Sequence, residues 1–202
     1  MKINYKMLFA IPAYLLLFLL SSCVTQEINV RQMLDAKDEE KIYTAHNLWF
    51  TDPEKIESIN YRKGEVIPFG TEVEVLSAIL DNYSDDEKIV FKTVPEGKTY
   101  TIINRKKWRA KNESIHTFLG QYFTTRTPEE LCAGRSPELL KAMREGRIEI
   151  GMTRDDVVMT LGYPARHRNP IYEQDTWIFW IAPAESERII FKNGKVKHIL
   201  RL

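Results

Sequence analysis

Alternation of polar and apolar residues is the dominant pattern in the middle of the chain, over residues 41–126. Residues 71–76 alternate up to Val75 as a half-buried strand does, and the strand-like stretch 59–63 ends at a turn at Gly64. Residues 88–92 and 98–103 are separated by a Pro-Glu-Gly turn, which is typical of a β-hairpin. The pattern therefore predicts a small β-rich domain over residues 41–126.

Helix signals replace this alternation from residue 127 onward. Thr127 is followed by proline and, three residues on, by glutamate, which is the pattern of a capping box. Ser136 restarts a helix that stops at Gly146. Thr153 caps a further helix that ends at Gly162, where we expect a left-handed glycine. Helices are therefore predicted between residues 127 and 162.

Strand patterns return at the C-terminal end. Residues 175–181 are apolar on both faces, which is typical of a central or covered strand. Residues 187–192 and 195–199 flank an Asn-Gly pair, a strong signal for a tight hairpin because both central residues need a positive φ. The predicted fold class is therefore α+β: the β-rich domain, then a two-layer α-α-β-β-β module over residues 127–202.

The N-terminal segment has the parts of an export signal. Lys2 and Lys6 precede an apolar run over residues 7–20, and two serines lead to Cys23. A membrane-spanning helix needs about 20 apolar residues, so this run is too short for one. The segment resembles a bacterial lipobox, which implies a diacylglyceryl group on the Cys23 thiol, cleavage before Cys23 and a fatty acid such as palmitate on the new amine. We therefore predict a lipoprotein signal peptide over residues 1–22.

The residues after Cys23 predict where the lipid anchor resides. Val24 stands where an aspartate usually retains a lipoprotein in the inner membrane. Its identity resembles that of lipoproteins sorted to the outer membrane and facing the periplasm. Residues 23–40 are polar with sparse apolar positions, so we predict a tether there, with a short helix around residues 31–37.

Overall charge narrows the expected partners. The 202-residue chain has 29 basic and 28 acidic residues. Removing residues 1–22 takes away Lys2 and Lys6 and no acid, which leaves 27 basic against 28 acidic residues. A near-neutral protein has no long-range field to attract nucleic acid. We expect contact with the membrane through the lipid on Cys23, and no nucleic-acid partner.

The C-terminal third carries four motifs of a known family. Residues 148–157 match I-x-x-G-M-T-x-x-x-V, residues 161–164 match L-G-x-P, residues 175–179 are similar to x-x-W-x-Y, and residues 191–196 match F-x-x-G-x-V. In this order the motifs resemble the SmpA/OmlA (BamE-like) family of outer-membrane lipoproteins. The resemblance covers about residues 137–202 and implies a subunit of the outer-membrane protein assembly machinery. The long β-rich segment before it departs from that family.

A shorter resemblance lies in the β-rich segment. Residues 64–75 are similar to the I-P-x-G-T-x-V-x-V step of bacterial SH3-like barrels. This resemblance implies an SH3-like domain and an alternative function, a periplasmic module that binds peptidoglycan or another glycan. Exposed aromatic side chains at Trp49, Phe50 and Tyr61 would favour that alternative, and buried ones would count against it. An inhibitor-like role follows only from the likeness of the BamE fold to a β-lactamase-inhibiting protein.

No motif of catalytic or metal-binding chemistry is present. The four histidines, at 46, 116, 167 and 198, have no close spacing to Cys, Asp or Glu that is typical of a metal site. There is no P-loop, dinucleotide fingerprint or Gly-x-Ser-x-Gly. We therefore expect no enzymatic activity, no cofactor, no metal and no small-molecule substrate.

Two basic stretches are the candidate contacts with a partner. Trp108 lies among five cations in residues 105–111, a composition that suits an interface with anionic groups. Arg166, His167 and Arg168 lie in the predicted loop between a helix and a strand, where binding residues are common. The sequence thus favours a lipid-anchored, non-enzymatic scaffold or partner-binding subunit with an envelope protein as its partner.

Overall fold

A computed structural model describes residues 29–80, 84–109 and 113–201 of the chain. The predicted signal peptide and Cys23 lie outside the described residues. The described part is a mixed α+β fold rich in strands, which confirms the predicted class. The finer predictions, an SH3-like domain and a BamE-like module, stay predictions.

The strands are β1 (Ile42–Thr44), β2 (Leu48–Phe50), β3 (Ile56–Glu57), β4 (Glu65–Ile67), β5 (Glu72–Leu80), β6 (Glu87–Thr93), β7 (Thr99–Asn104), β8 (Phe123–Thr124), β9 (Thr176–Ala182), β10 (Glu185–Lys192) and β11 (Lys195–Arg201).

The helices are short. Their bounds are α1 (Val30–Met33), α2 (Ile115–Tyr122), α3 (Pro128–Cys132), α4 (Pro137–Arg144) and α5 (Arg154–Leu161), and a 3-10 helix covers Lys106–Trp108. Helix α1 belongs to the predicted tether, yet Val30 is buried in the neighbouring core. From residue 30 onward this segment therefore packs on the folded part.

A curled six-stranded sheet organises the N-terminal part, with strand order β3-β7-β6-β5-β1-β8. Neighbouring strands are antiparallel except β3 and β7, which are parallel. The hairpin predicted over residues 88–103 is confirmed as β6 and β7. The strand expected at residues 59–63 is absent, because Asn60 adopts a positive φ of 51° and turns the chain there.

Helix α2 was not foreseen within the β-rich segment. Ser114 caps it by accepting a hydrogen bond from the Thr117 backbone N–H at 3.2 Å. Phe118, Leu119 and Tyr122 lie on one face of the helix and are buried. They join a first core with the sheet residues Ile42, Leu48, Phe50, Ile56, Ile67, Val73, Ala78, Ile89, Phe91, Tyr100, Ile102 and Phe123.

Three helices and a three-stranded antiparallel sheet, in the order β11-β10-β9, form the C-terminal part. The capping boxes predicted at Thr127 and Thr153 are both present. Gly162 has the expected positive φ of 81°, but its ψ of −172° is extended rather than left-handed helical. A β-carbon there would lie 2.9 Å from Cε1 of His46, so close packing also requires this glycine.

Strand β9 is an edge strand, so of the two alternatives expected from the sequence, a central or a covered strand, the central one is wrong. Trp177 and Phe179 face the second core, while Ile178 and Trp180 lie on the other face and are half-buried. Asn169 pairs with the open edge: its Nδ2 donates to the Ile178 carbonyl at 2.9 Å and its Oδ1 accepts from the Ile178 N–H at 2.8 Å. A loop side chain thus covers an edge that a neighbouring strand would otherwise pair with.

The second core is apolar and contains one residue from the N-terminal part, Phe69. Its other members come from the C-terminal helices and sheet: Leu131, Ala142, Met143, Met152, Val157, Met159, Leu161, Trp177, Phe179, Ile189, Phe191 and Val196. The rings of Trp177 and Phe191 meet edge to face with centroids 4.7 Å apart. Helices and sheet are therefore held together by a continuous apolar layer.

A polar junction joins the two cores. The Asn47 Nδ2 donates to the carbonyls of Met143 at 2.8 Å and Thr160 at 3.1 Å, and its Oδ1 accepts from the Phe69 N–H. The Asn60 Nδ2 donates to the carbonyls of Asn47 and Leu161 at 2.9 and 2.8 Å. Buried side-chain amides thus bridge backbone groups that are far apart in sequence.

His46 is fully enclosed in the same junction. Its Nδ1 lies 2.9 Å from the Asn47 carbonyl, so the neutral ring carries its proton on Nδ1. Its Nε2 has no partner among the described residues. Burial lowers the pKa of His46 to about 4, against a smaller opposing effect of the Asn47 carbonyl, because charging an enclosed ring is unfavourable.

Candidate functional site

Two segments far apart in sequence bring the predicted contact residues together. Trp108 ends the 3-10 helix after β7, and His167 lies in the loop between α5 and β9. Their ring centroids are 5.0 Å apart, with the planes tilted by 44°. The two basic stretches identified in the sequence therefore meet on one surface.

Trp180 extends this surface and was missed in the sequence. Its ring lies parallel to that of His167 within 8°, with centroids 6.3 Å apart. The Arg168 guanidinium lies 5.6 Å from the Trp180 centroid. Side chains alternate between the two faces of a strand, so the three-residue separation of Trp177 and Trp180 could have placed Trp180 on the opposite face. The near-continuous apolar pattern hid that distinction.

Cations flank the aromatic rings. The Lys107 Nζ lies 4.3 Å from the centroid of its neighbour Trp108, and the Arg166 guanidinium lies 4.3 Å from that of Tyr172. We call the set Lys107, Trp108, Arg166, His167, Arg168 and Trp180 the cation–aromatic surface. It combines flat rings with three positive charges.

The cations of this surface differ from their neighbours in the chain. Arg105 holds Glu57 at 2.6 Å, Lys106 contacts Asp85 at 2.5 Å, and Arg109 contacts the buried Glu87 at 2.8 Å. Acids therefore neutralise Arg105, Lys106 and Arg109 of the basic stretch, and two of these acids, Asp85 and Glu87, lie close together in the chain.

Three cations of the surface have no acidic partner in the part of the chain that the structure describes. Across the described ranges, Lys107, Arg166 and Arg168 form no ion pair. His167 is exposed as a residue, and partial burial together with the Arg168 charge lowers the pKa of its ring. The surface therefore carries its positive charge on Lys107 and the two arginines, while the His167 ring is neutral near pH 7 and acts as a flat contact.

A small cavity lies beside the surface. It has a volume of about 30 Å³ and is lined in part by Trp108, Gln121, Tyr163, Arg166 and Tyr172. That volume accommodates about two water molecules. The surface is therefore suited to contact with another surface rather than to enclosure of a substrate.

A separate groove of about 230 Å³ opens in the N-terminal part. Its walls include Trp49, Phe50, Tyr61 and Pro183, with Lys55 and Lys63 at its edge. Of the three aromatic residues named from the sequence, Phe50 is buried, whereas Trp49 and Tyr61 are half-buried. We call this the aromatic groove, and it shares no lining residue with the cation–aromatic surface.

Neither a cluster of metal ligands nor a membrane-spanning helix occurs in the described ranges. These ranges contain no group of three or more His, Cys, Asp or Glu side chains placed to hold a metal ion. None of their helices is long and apolar enough to cross a membrane.

Comparisons with known proteins place the chain in no family. No family model matches it, and neither the curated proteins nor the solved structures give a match. The likeness to the SmpA/OmlA family therefore stays a prediction based on its motifs. What the structure defines is the class: a strand-rich α+β protein with a cation–aromatic surface and an aromatic groove.

Proposed function

We propose that this chain is a lipid-anchored outer-membrane lipoprotein that faces the periplasm and binds an envelope protein partner, with no enzymatic role. The observation that carries the binding role is the convergence of Trp108, His167 and Trp180 on one surface with three cations that form no ion pair within the described residues. Tryptophan and arginine are the residues that contribute most often to binding energy at protein interfaces. The partner is expected to present an acidic, partly apolar surface.

The anchor has a different support, which is the sequence alone. The run ending in Cys23 resembles a lipobox, and two or more acyl chains give stable membrane attachment because each buried methylene contributes about 0.8 kcal/mol. Anchoring confines the binding surface of the chain to the envelope, where its partner is expected. The chain can therefore bind that partner through an open surface and needs no enclosed site. The resemblance to the SmpA/OmlA family makes the outer-membrane assembly machinery the first place to seek the partner.

Photo-crosslinking in intact cells tests the partner-binding role. A photoreactive residue at position 167 in the full chain should yield a specific adduct, and Arg168→Glu should reduce it about tenfold, because like charges oppose an acidic partner. The matched control is Arg188→Glu, which reverses an exposed arginine on β10. Equal adduct from both variants would contradict the assigned surface.

The same cells test the anchor. The variant Cys23→Ser should lose acylation and membrane fractionation, and with them the adduct at position 167. A Cys23→Ser protein that still partitions wholly with the outer membrane would overturn the lipoprotein assignment. Because Arg168→Glu leaves Cys23 intact, a loss of adduct in that variant reports on the binding surface and not on the anchor.

A further inference from the structure

We propose that the aromatic groove is a second binding site, for a saccharide chain that carries carboxylates. A pyranose ring packs on Trp49 and Tyr61, and a carboxylate of the chain meets the ammonium groups of Lys55 and Lys63. The groove is independent of the cation–aromatic surface, so one molecule has room for a protein partner and a glycan together.

The walls of the groove are held in place before any ligand binds. The Trp49 backbone N–H donates to Oδ1 of Asn60 at 2.9 Å, which joins β2 to the turn that carries Tyr61. A β-carbon on Gly64 would lie 2.2 Å from the Phe50 carbonyl oxygen, so only glycine lets residues 61–64 lie against the end of β2. The turn therefore fixes Tyr61 and Lys63 beside Trp49.

The Trp49 ring is fixed from the other side by the C-terminal part. A β-carbon on Gly146 would lie 2.5 Å from Cζ2 of Trp49, and Cδ of Arg62 borders the same position. The indole therefore packs against the turn after α4 and cannot swing freely. A ring that is already ordered loses little conformational entropy on binding.

Positive charge dominates the edge of the groove. Lys63 forms no ion pair within the described residues, and Lys55 lies 3.9 Å from Asp52 with both side chains exposed. The one carboxylate of the lining, Glu57, is held by Arg105 through contacts of 2.6 and 2.8 Å. An incoming carboxylate therefore meets the exposed Lys63 ammonium and can also compete with Asp52 for Lys55, whose existing contact is long and exposed.

Aromatic walls with cations at the edge fit an acidic sugar. The C–H groups on one face of a pyranose carry slight positive charge and pack on the negative face of an aromatic ring. The 230 Å³ volume lies just below the roughly 300 Å³ at which pockets begin to enclose drug-sized ligands, which suits one ring of a chain that continues along the surface.

A proline-rich peptide is the main competing occupant, because such peptides also bind grooves lined by aromatic rings. Its carbonyl oxygens need donors between the rings. The Trp49 Nε1 is enclosed and has no hydrogen-bond partner among the described residues, so it does not offer its N–H to the groove. Charge also favours the acidic saccharide, since a proline-rich backbone brings no carboxylate for Lys55 and Lys63.

The choice of sugar rests on the proposed function. A protein that faces the periplasm meets glycan chains of N-acetylglucosamine and N-acetylmuramic acid, and the latter carries a free carboxylate wherever its lactyl group bears no peptide. Binding in solution needs neither the anchor nor the protein partner. A failed titration would therefore overturn the groove assignment and leave the proposed function untouched.

Titration of the purified full-length protein with a soluble oligosaccharide of these two sugars tests the groove, with backbone amide NMR shifts as the readout. Shifts should concentrate at residues 49–63. A chitin tetrasaccharide, which has the rings but no carboxylate, should bind about tenfold more weakly, as should the variant Lys63→Glu. Tyr61→Ala should also weaken binding, because it removes one wall. Lys197→Glu, an exposed lysine on β11, is the matched control and should bind as the parent does.

Three results would overturn the proposal. The first is the absence of NMR shifts at millimolar oligosaccharide. The second is that Lys63→Glu and Tyr61→Ala both bind the oligosaccharide as tightly as the parent does. The third is that a proline decamer binds more tightly than the acidic oligosaccharide. A thermal melt of each variant shows that the chain is folded, so that lost binding reports on the groove.

Discussion

The two hydrophobic cores and the junction between them are built from opposite chemistry. Each core is a layer of aliphatic and aromatic side chains, such as Phe91 in the first and Trp177 in the second. The junction instead uses Asn47, Asn60 and the enclosed His46. Apolar side chains can pack against many different apolar neighbours, whereas each buried amide requires specific hydrogen-bond donors and acceptors. The cores therefore supply most of the stability, and the junction specifies how they meet.

The largest expected effect comes from the second core. Trp177 is 3% exposed, packs on Phe191 and donates from Nε1 to the Tyr172 carbonyl at 2.9 Å. Trp177→Ala should lower the free energy of unfolding by about 3–5 kcal/mol in urea titrations followed by circular dichroism. Trp180→Ala, on the other face of the same strand, is the matched control and should cost clearly less. Equal losses of stability would contradict the difference in burial between the two faces of β9.

The next largest effect on the free energy of unfolding is expected from acid, which should destabilise the junction through His46. Because burial lowers the pKa of His46 from 6.5 to about 4, the unfolded chain binds a proton in this range that the folded chain excludes. The stabilisation is therefore fully present above about pH 6.5 and declines as the pH falls toward 4, by about 3 kcal/mol. Urea titrations across this range measure it.

His46→Gln should flatten that pH dependence, although it also lowers stability at every pH. The exposed His198 is the control, and His198→Gln should leave the slope unchanged. An unaltered slope in His46→Gln would assign the acid sensitivity to carboxylates instead.

The smallest of these effects is expected for one amide of the junction. Asn47→Ala leaves the Met143 and Thr160 carbonyls and the Phe69 N–H without their partner, which costs about 1–3 kcal/mol. Because the cores stay intact, unfolding should also separate into two transitions. Asn60→Ala in the same background should be less than additive, since its Nδ2 bonds to the Asn47 carbonyl. A single transition at parental stability would refute the junction's role.

The sequence predicted the helix caps and hairpin turns, which depend on interactions between residues close together in the chain. The capping boxes at Thr127 and Thr153 and the hairpin around Asn193 are confirmed, because each depends on residues within a few positions. The hairpin of β6 and β7 is confirmed for the same reason. Helix α2 was missed because strand-like residues surround its short apolar stripe.

The candidate sites were predictable only as separate pieces. Trp108 and residues 166–168 were identified as contacts, but nothing in the chain indicates that they meet, and Trp180 was taken for a covered strand residue. The aromatic groove combines Trp49 and Tyr61 with Pro183 from the far end of the chain. Such combinations depend on how the two cores dock.

By itself, the sequence determined the helix caps, the tight hairpins, the strand-rich α+β class and the prediction of a lipid anchor at Cys23. Only the tertiary structure decided that β9 is an edge strand, that Asn47 bonds to the Met143 carbonyl 96 residues away, and that rings and cations gather on one surface. The physical reason is range: caps and turns are satisfied by neighbouring backbone groups, whereas a buried amide or an aromatic cluster needs partners that only the folded chain brings near.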